Sequence, residues 1–186
     1  MEVKKAIEAR RAYRSLAPVE ITEELINDLA GKAQLAPSCF NKQPWKYVFV
    51  YDPAVLTKMH GALSPGNEWV QAASLIIAVL GKKDDDCAMK DGRVYYHFDI
   101  GMATAFMILR ATELGLVAHP IAGYNPGKVR EVLGIPEELE VITLVNVGKH
   151  SDKISPLLSE PMAKGEKQRP ERNPLGKFIY RNGYKA

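Results

Sequence analysis

Apolar residues recur along this chain at two spacings, and these divide it into helices and strands. Residues 2–11 place Val3, Ala6 and Ile7 on one helical face. The pattern returns over 21–36, where Leu25, Ile26, Leu29 and Ala33 form the stripe to be buried. Thr22 stands at the N-cap of that helix, with Glu23 and Glu24 complementing its positive end, and Ile21 and Ile26 are spaced as a hydrophobic staple. Ala36 precedes a proline, which disfavours helical backbone and ends the helix. Residues 45–51, rich in aromatic and β-branched side chains, predict a strand. Asp52-Pro53 opens a helix that fades by Gly61, and Ser64-Pro-Gly-Asn67 is turn chemistry.

The run at 74–80 is continuously apolar, as expected of a central strand covered on both faces. Residues 93–114 carry the longest helical pattern, closed by Gly115. Gly101, Ala103, Ala105 and Ala111 keep that helix slim, suited to a central position or a subunit interface. A short extended piece follows at 117–124. Asn125-Pro126 opens a helix ending at Leu133-Gly134, residues 135–139 form a short turn or helix, and 141–147 read as a third strand. Helices interspersed with a few strands, without regular β-α repeats, predict an α+β chain. Residues 149–186 change character: rich in Pro, Lys and Glu, they hold little apolar material before Phe178-Ile-Tyr180 and cannot bury a core alone. They are either disordered or wrapped onto something.

Composition narrows the class. The 186 residues suffice for one domain with its own core. Hydrophobic residues make up 46% and charged residues 25%, and 25 basic against 22 acidic residues give a formal charge of +3. That charge is too small to point to nucleic acid or a membrane surface, although a few placed arginines make a local anion site. Two cysteines, Cys39 and Cys87, do not make a disulfide framework, so a reducing cytoplasm is expected and Cys39 reads as a small buried thiol or a ligand contact. The opening Met-Glu-Val-Lys-Lys lacks the apolar core of a signal peptide, and no apolar run approaches bilayer length. The four histidines lack metal-ligand spacing, Asp84-Asp-Asp86 lacks the glycine-centred loop of a calcium site, and no Gly-x-Gly-x-x-Gly offers a separate dinucleotide site. His97 and Asp99, two apart, do not share a helix face, and neither reads as catalytic.

Three stretches carry candidate chemistry. Arg10, Arg11 and Arg14 cluster where the first helix ends; they read either as cations complementing the helix dipole or as planar forks for a phosphate. Ser38, Asn41 and Gln43 put short polar side chains into the irregular loop 37–44, where such groups bond a ligand or their own backbone. Gly123 permits close backbone approach.

Ala36-Pro-Ser-Cys-Phe-Asn-Lys-Gln-Pro-Trp45 resembles the hallmark loop of the nitroreductase family of FMN-dependent enzymes. Arg10-Arg11-Ala12-Tyr13-Arg14 is similar to the family's early basic segment, with Ala12 in place of the usual serine, and Pro120-Ile-Ala-Gly-Tyr124 is similar to a further signature. Asn67-Glu-Trp-Val-Gln-Ala-Ala73 fits more loosely a stretch whose asparagine bonds the flavin's pyrimidine ring. Arg172-Asn-Pro-Leu175 resembles a late basic motif, with Arg169 in reserve.

The resemblance implies a three-layer α/β/α fold around a mixed, mainly antiparallel sheet. It implies a domain-swapped homodimer whose C-terminal arms, 149–186, are exchanged, with Phe178-Ile-Tyr180 as the strand added to the partner's sheet. It implies an FMN site drawing Arg10, Arg11, Arg14, Ile121, Ala122, Gly123 and Arg172 from one subunit, with Asn67 as a flavin contact or a turn residue. Pro37, Ser38, Cys39 and Asn41 would come from the other subunit, and Phe40 would shape a substrate channel. The implied chemistry is ping-pong hydride transfer from NAD(P)H through flavin N5 to a small acceptor such as a nitroaromatic or quinone. No side chain acts as obligate acid or base, and Arg14 tunes the flavin. Ala122 stands where some relatives carry glutamate. A dehalogenase or flavin-fragmenting relative, and a flavin-binding module for storage or sensing, are the alternative readings.

Overall fold

In the computed structural model, which describes residues 1–184, the apolar run at 74–80 lies at the centre of the molecule. It forms β3 (Leu75–Gly81), buried along its whole length. Successive side chains of a strand point to opposite faces. Ile76, Ala78 and Leu80 therefore enter one core, and Leu75, Ile77 and Val79 enter a second. Burial on both faces explains why this stretch has no polar position.

The other strands are β1 (Leu16–Ala17), β2 (Lys46–Val50), β4 (Leu116–Ile121) and β5 (Glu140–His150). β3 pairs with β2 on one side and β5 on the other, and β4 lies on the far side of β5. β1 takes up β5 where β3 ends, setting Leu16 opposite His150 and Ala17 opposite Lys149. Every pairing among the described residues is antiparallel, so the sheet is not mixed as the resemblance implied. β3 and β4 do run the same way, but β5 is inserted between them and pairs antiparallel with each.

Helices cover both faces. α2 (Glu23–Gln34) and α4 (Tyr96–Glu113) bring Leu29, Ala33, Ile100, Ala103, Met107 and Ala111 onto the Leu75–Ile77–Val79 side. α3 (Pro53–His60), α5 (Pro126–Leu133) and a 3-10 turn at Glu68–Ala72 place Met59, Trp69, Val70 and Val129 on the other. The caps lie where the sequence puts them. Thr22 Oγ1 accepts from Leu25 N at 3.2 Å, Asp52 Oδ1 from Ala54 N at 2.9 Å, and Asn125 Oδ1 from Lys128 N at 3.0 Å. Gly134 closes α5 in the left-handed conformation. No helix among the described residues is long and apolar enough to cross a membrane.

The ends of the chain depart from the expected pattern. α1 (Val3–Ala9) is shorter than 2–11 and buries only Ala6; Val3 and Ile7 are exposed. Arg10 already has extended backbone, so the basic cluster extends beyond the helix instead of decorating its last turn. In the C-terminal stretch an unpredicted helix, α6 (Glu160–Lys167), docks through a buried Glu166. Phe178-Ile-Tyr180 follows a 3-10 turn at Leu175–Lys177 and is exposed, unpaired with any strand among the described residues.

Gly81, at the end of β3, lets Ile100 and Tyr96 of α4 pack directly against its backbone. A Cβ there would lie 2.4 Å from Ile100 Cδ1 and 3.0 Å from the Tyr96 ring. Gly81→Ala is expected to lower unfolding free energy by about 1–3 kcal/mol through overpacking, measured by urea denaturation at neutral pH.

Candidate functional site

Two groups of polar residues stand apart on the structure. The first gathers on the segment between α1 and β1. Residues 10–15 run as irregular backbone whose polar groups need partners. Glu166 supplies two of them: its buried carboxylate accepts Arg14 N at 2.9 Å and Ser15 N at 3.1 Å. Arg11 reaches back, donating to Gly165 O at 2.6 Å and to the Tyr13 hydroxyl at 3.1 Å. Arg169 donates to Glu8 O at 2.6 Å and Arg10 O at 2.8 Å, satisfying carbonyls at the end of α1.

The remaining guanidinium groups are differently placed. Among the described residues, the side chains of Arg10, Arg14 and Arg172 make no hydrogen bond and no ion pair. Arg14 instead lies over the Trp69 ring, 5.9 Å from its centroid. Burial, followed by the like charges of Arg169 and Arg172, pulls Arg10 below the usual arginine value. Arginine keeps its charge under such pressure, so the cluster concentrates positive charge that an anion would relieve.

The same cluster continues into the flanking turns. Asn67, two residues before Trp69, donates from Nδ2 to Gly123 O at 3.1 Å, and Ser64 N donates to the same carbonyl at 3.0 Å. A Cβ on Gly123 would fall 2.2 Å from Asn67 Nδ2, so the absence of a side chain lets the two turns close. Ile121 is buried and anchors the end of β4, while Ala122 is exposed next to it. Arg10, Arg11, Arg14, Arg169 and Arg172 thus form one basic group, and Asn67 joins the 121–123 turn beside it.

His119 lies beneath this group, stacked on Trp69 with ring centroids 4.7 Å apart. Its Nδ1–H donates to the Tyr13 carbonyl at 3.0 Å, which fixes the tautomer. Burial, which outweighs that bond, together with the charges of Arg14 and Arg10 pushes the imidazole down to about 4.

The second group is the loop between α2 and β2. Pro37, Ser38, Cys39 and Phe40 line a cavity of about 510 Å³ with Met89, Arg93 and Asp99. The loop contains a tight 3-10 turn at Cys39–Asn41; Phe40 (φ 49°) and Asn41 (φ 55°) in it, and Gln43 (φ 49°) just beyond it, all occupy left-handed backbone without being glycine. Asparagine tolerates that conformation; phenylalanine rarely adopts it. Ser38 Oγ accepts from Gln43 N at 3.0 Å, and Gln43 Nε2 donates to Asn41 Oδ1 at 3.1 Å, so these polar side chains hold their own loop. Phe40 is 86% exposed. Cys39 N donates to Asp99 Oδ2 at 2.9 Å, and the other carboxylate oxygen of Asp99 is buried without a partner.

Cys39 is not a free thiol. It forms a disulfide with Cys87, Cα–Cα 5.9 Å, across 48 positions of sequence. The expectation of two unpaired cysteines fails because the residue count says nothing about which loops the fold brings together. Among the described residues, no hydrogen bond or ion pair joins this loop to the arginine cluster, and no group of three metal-ligating side chains occurs.

Three residues of these groups escape a reading of the sequence. Asp99 has a signal in retrospect: it falls in register with Ala103, Met107 and Ala111 on the buried stripe of α4. A carboxylate on such a stripe needs a reason. Cys87 and Glu166 have none, because each sits in a stretch that reads as solvated.

A family model described as Nitroreductase family matches residues 7–67 and 64–149. The chain is 31% identical over 156 residues to an Archaeoglobus fulgidus protein provisionally named NADH dehydrogenase/NAD(P)H nitroreductase, covering 82% of this chain and 87% of that one. It is 27% identical to an iodotyrosine deiodinase of Haliscomenobacter hydrossis over 75% of each. Among solved structures, one described as an oxidoreductase containing FMN superposes with a TM-score of 0.84 at 25% identity, covering 100% of this chain and 94% of that one. A nitroreductase family protein from Clostridium difficile 630 superposes with a TM-score of 0.81 at 25% identity, over 99% and 100%.

The depressed imidazole of His119 has a consequence for stability. In the unfolded chain its pKa returns to the ordinary 6.5, so below that pH the unfolded state binds a proton that the folded state refuses until about 4. Stability is therefore expected to fall as pH drops from about 6.5 towards 4, with about 2 kcal/mol lost between pH 7.5 and 5. His60, also lowered by burial, acts in the same direction. Urea unfolding across this range checks it, and His119→Gln should make the slope shallower.

Proposed function

Because this chain belongs to the nitroreductase family of oxidoreductases, we propose that it binds FMN and transfers hydride from NAD(P)H to a small acceptor such as a nitroaromatic or quinone. The observation that carries this reading is the arginine cluster. Arg10, Arg14 and Arg172 present guanidinium groups with no hydrogen-bonded or ion-paired partner among the described residues, and Arg14 lies over Trp69, two residues from the Asn67 that packs on Gly123. That donor set fits a phosphate together with the polar edge of a flat heterocycle. The described residues hold a single nearby buried carboxylate, Glu166, and it is engaged by backbone N–H groups.

FMN, when bound, supplies the hydride chemistry at N5. The chain's residues bind, orient and tune. Arg10 and Arg172 hold the phosphate, with Arg11 and Arg169 fixing the backbone beneath them. Asn67 and the backbone of Ala122 and Gly123, carried on the buried Ile121, address the heterocycle. Arg14, backed by Trp69, places positive charge at the pyrimidine edge and raises the midpoint potential. No side chain needs to act as acid or base.

The loop bearing Pro37, Ser38, Cys39 and Asn41 lies apart from the arginines within one chain. We read this as two half-sites completed in a homodimer, with Phe40 facing the substrate channel; α6 and Arg169 dock on this chain's own residues 8–15, so the exposed stretch after Arg172 is the part of the C-terminal arm that reaches the partner. The soluble cytoplasm suits a nicotinamide donor. A second reading, reductive dehalogenation, is favoured by the likeness to the iodotyrosine deiodinase. The charged stretch between β3 and α4 does not resemble a large substrate lid.

The purified protein is expected to be yellow, or to become yellow on loading with FMN, and to bleach when NADH or NADPH is added without oxygen. Colourless protein that takes up no FMN would overturn the reading; yellow protein that stays oxidised would point to a flavin-binding module without nicotinamide turnover. Arg14→Ala should lower the midpoint potential by roughly 30–60 mV, the equivalent of one charge-assisted hydrogen bond. Spectroelectrochemistry measures it, and an unchanged potential removes Arg14 from the tuning role.

A further inference from the structure

The Cys39–Cys87 bond has no part in hydride transfer, yet it ties the loop of one half-site to the segment between β3 and α4. We propose that this disulfide is a thiol-exchange site, opened by a small-molecule thiol that attacks Cys39, and that its opening releases the loop at 38–43. The inference rests on the proposed function only in naming that loop as part of a cofactor half-site.

The two sulfurs differ in access. Cys87 is 3% exposed, whereas Cys39 is half-buried and lines the 510 Å³ cavity with Ser38, Phe40, Met89 and Arg93. That volume lies in the range of small-molecule sites. An incoming thiolate therefore meets Cys39 Sγ first. Exchange depends on which sulfur can be approached as much as on thiol acidity.

The step balances. A thiolate RS⁻ bonds to Cys39 Sγ, the Cys39–Cys87 bond breaks, and Cys87 leaves with the electron pair and takes up a proton. A second thiolate attacks the external sulfur of the mixed disulfide, releasing RSSR and the Cys39 thiolate. Overall, one protein disulfide is reduced to two thiols and two RSH are oxidised to RSSR. In reducing compartments such bonds are usually transient, which suits exchange better than permanent stapling.

Opening the bond has a structural effect because the loop's own hydrogen bonds are mostly internal to it. The loop carries three non-glycine residues in left-handed backbone, a conformation that persists only where the surroundings impose it. Without the bond, the loop's remaining hydrogen bonds are internal to it, from Asn41 N to Ser38 O, from Lys42 N to Cys39 O and among Ser38, Gln43 and Asn41, apart from the one from Cys39 N to Asp99. On the other side, the segment from 82 to 95 has one 3-10 turn, at Lys83–Asp85, and is held by the Asp86 carboxylate on Tyr95 N and by an ion pair of Asp85 with Lys46 of β2.

The test uses the full chain and reads thiols and backbone amides, so a failure to bind FMN would sink the functional reading without deciding this one. Non-reduced protein treated with N-ethylmaleimide should gain no adduct by intact mass, and protein pre-equilibrated with reduced glutathione should gain two. Cys87→Ser should form a mixed disulfide with oxidised glutathione at Cys39, whereas Cys39→Ser should leave Cys87 unmodified. Amide hydrogen exchange at 39–43 should quicken at least about tenfold on reduction of the wild-type protein. Two thiols that alkylate without reductant and do not pair under diamide would overturn the proposal. So would preferential adduct formation at Cys87, or loop exchange that reduction leaves unchanged.

Discussion

Burial of β3 on both faces is the constraint from which the architecture follows. A strand with seven buried residues and no solvent face requires a layer of helices above and below it. Each large aliphatic side chain removed from water contributes about 1.5–3 kcal/mol, so leaving either face open would cost several times that. α2 and α4 cover one face; α3, α5 and the turn at Glu68–Ala72 cover the other. The candidate chemistry gathers chiefly in the connections between these elements, with Asp99 on α4 and His119 on β4 reaching it from inside the layers.

The arginine-bearing connection shows how such a segment is held without helix or sheet. Residues 10–15 bridge α1 and β1, and partners for their backbone come from far along the chain. Glu166 accepts the N–H groups of Arg14 and Ser15, Arg169 donates to the Arg10 carbonyl, and Arg11 donates to the carbonyl of Gly165. α6 is too polar to contribute much apolar burial; its docking value lies in these bonds. The arrangement leaves Arg10, Arg14 and Arg172 with no hydrogen-bonded or ion-paired partner among the described residues, and Arg10 partly buried with like charges for neighbours, which is a cost to the fold and an asset to an anion site.

The hallmark loop has the opposite character. Its polar side chains bond one another, and its backbone is bent into a left-handed conformation that Phe40 and Gln43 disfavour. It is pinned at Cys39 by two links to distant elements, a hydrogen bond to Asp99 and a disulfide to Cys87. One candidate group is thus positively charged and held by partners from far along the chain, and the other is conformationally strained, bonded within itself and fastened at Cys39.

Much of this was written locally. The three main strands, α2 with its Thr22 cap, α3 with Asp52, α5 with Asn125 and Gly134, and the long α4 follow from periodicity and capping, because those preferences act within a few residues. The loop at 36–45 and the Arg10–Arg14 cluster were visible as candidate chemistry for the same reason: their residue types and spacing are contiguous. Tertiary structure alone decided the insertion of β5 between β3 and β4, the short β1, the docking of α6, the burial of Glu166 and the pairing of Cys39 with Cys87. Each of these joins positions separated by dozens of residues, and the energy that selects them arises only when two surfaces meet. A charged helix in a polar tail or a cysteine in a charged loop looks the same in sequence whether or not a partner awaits it.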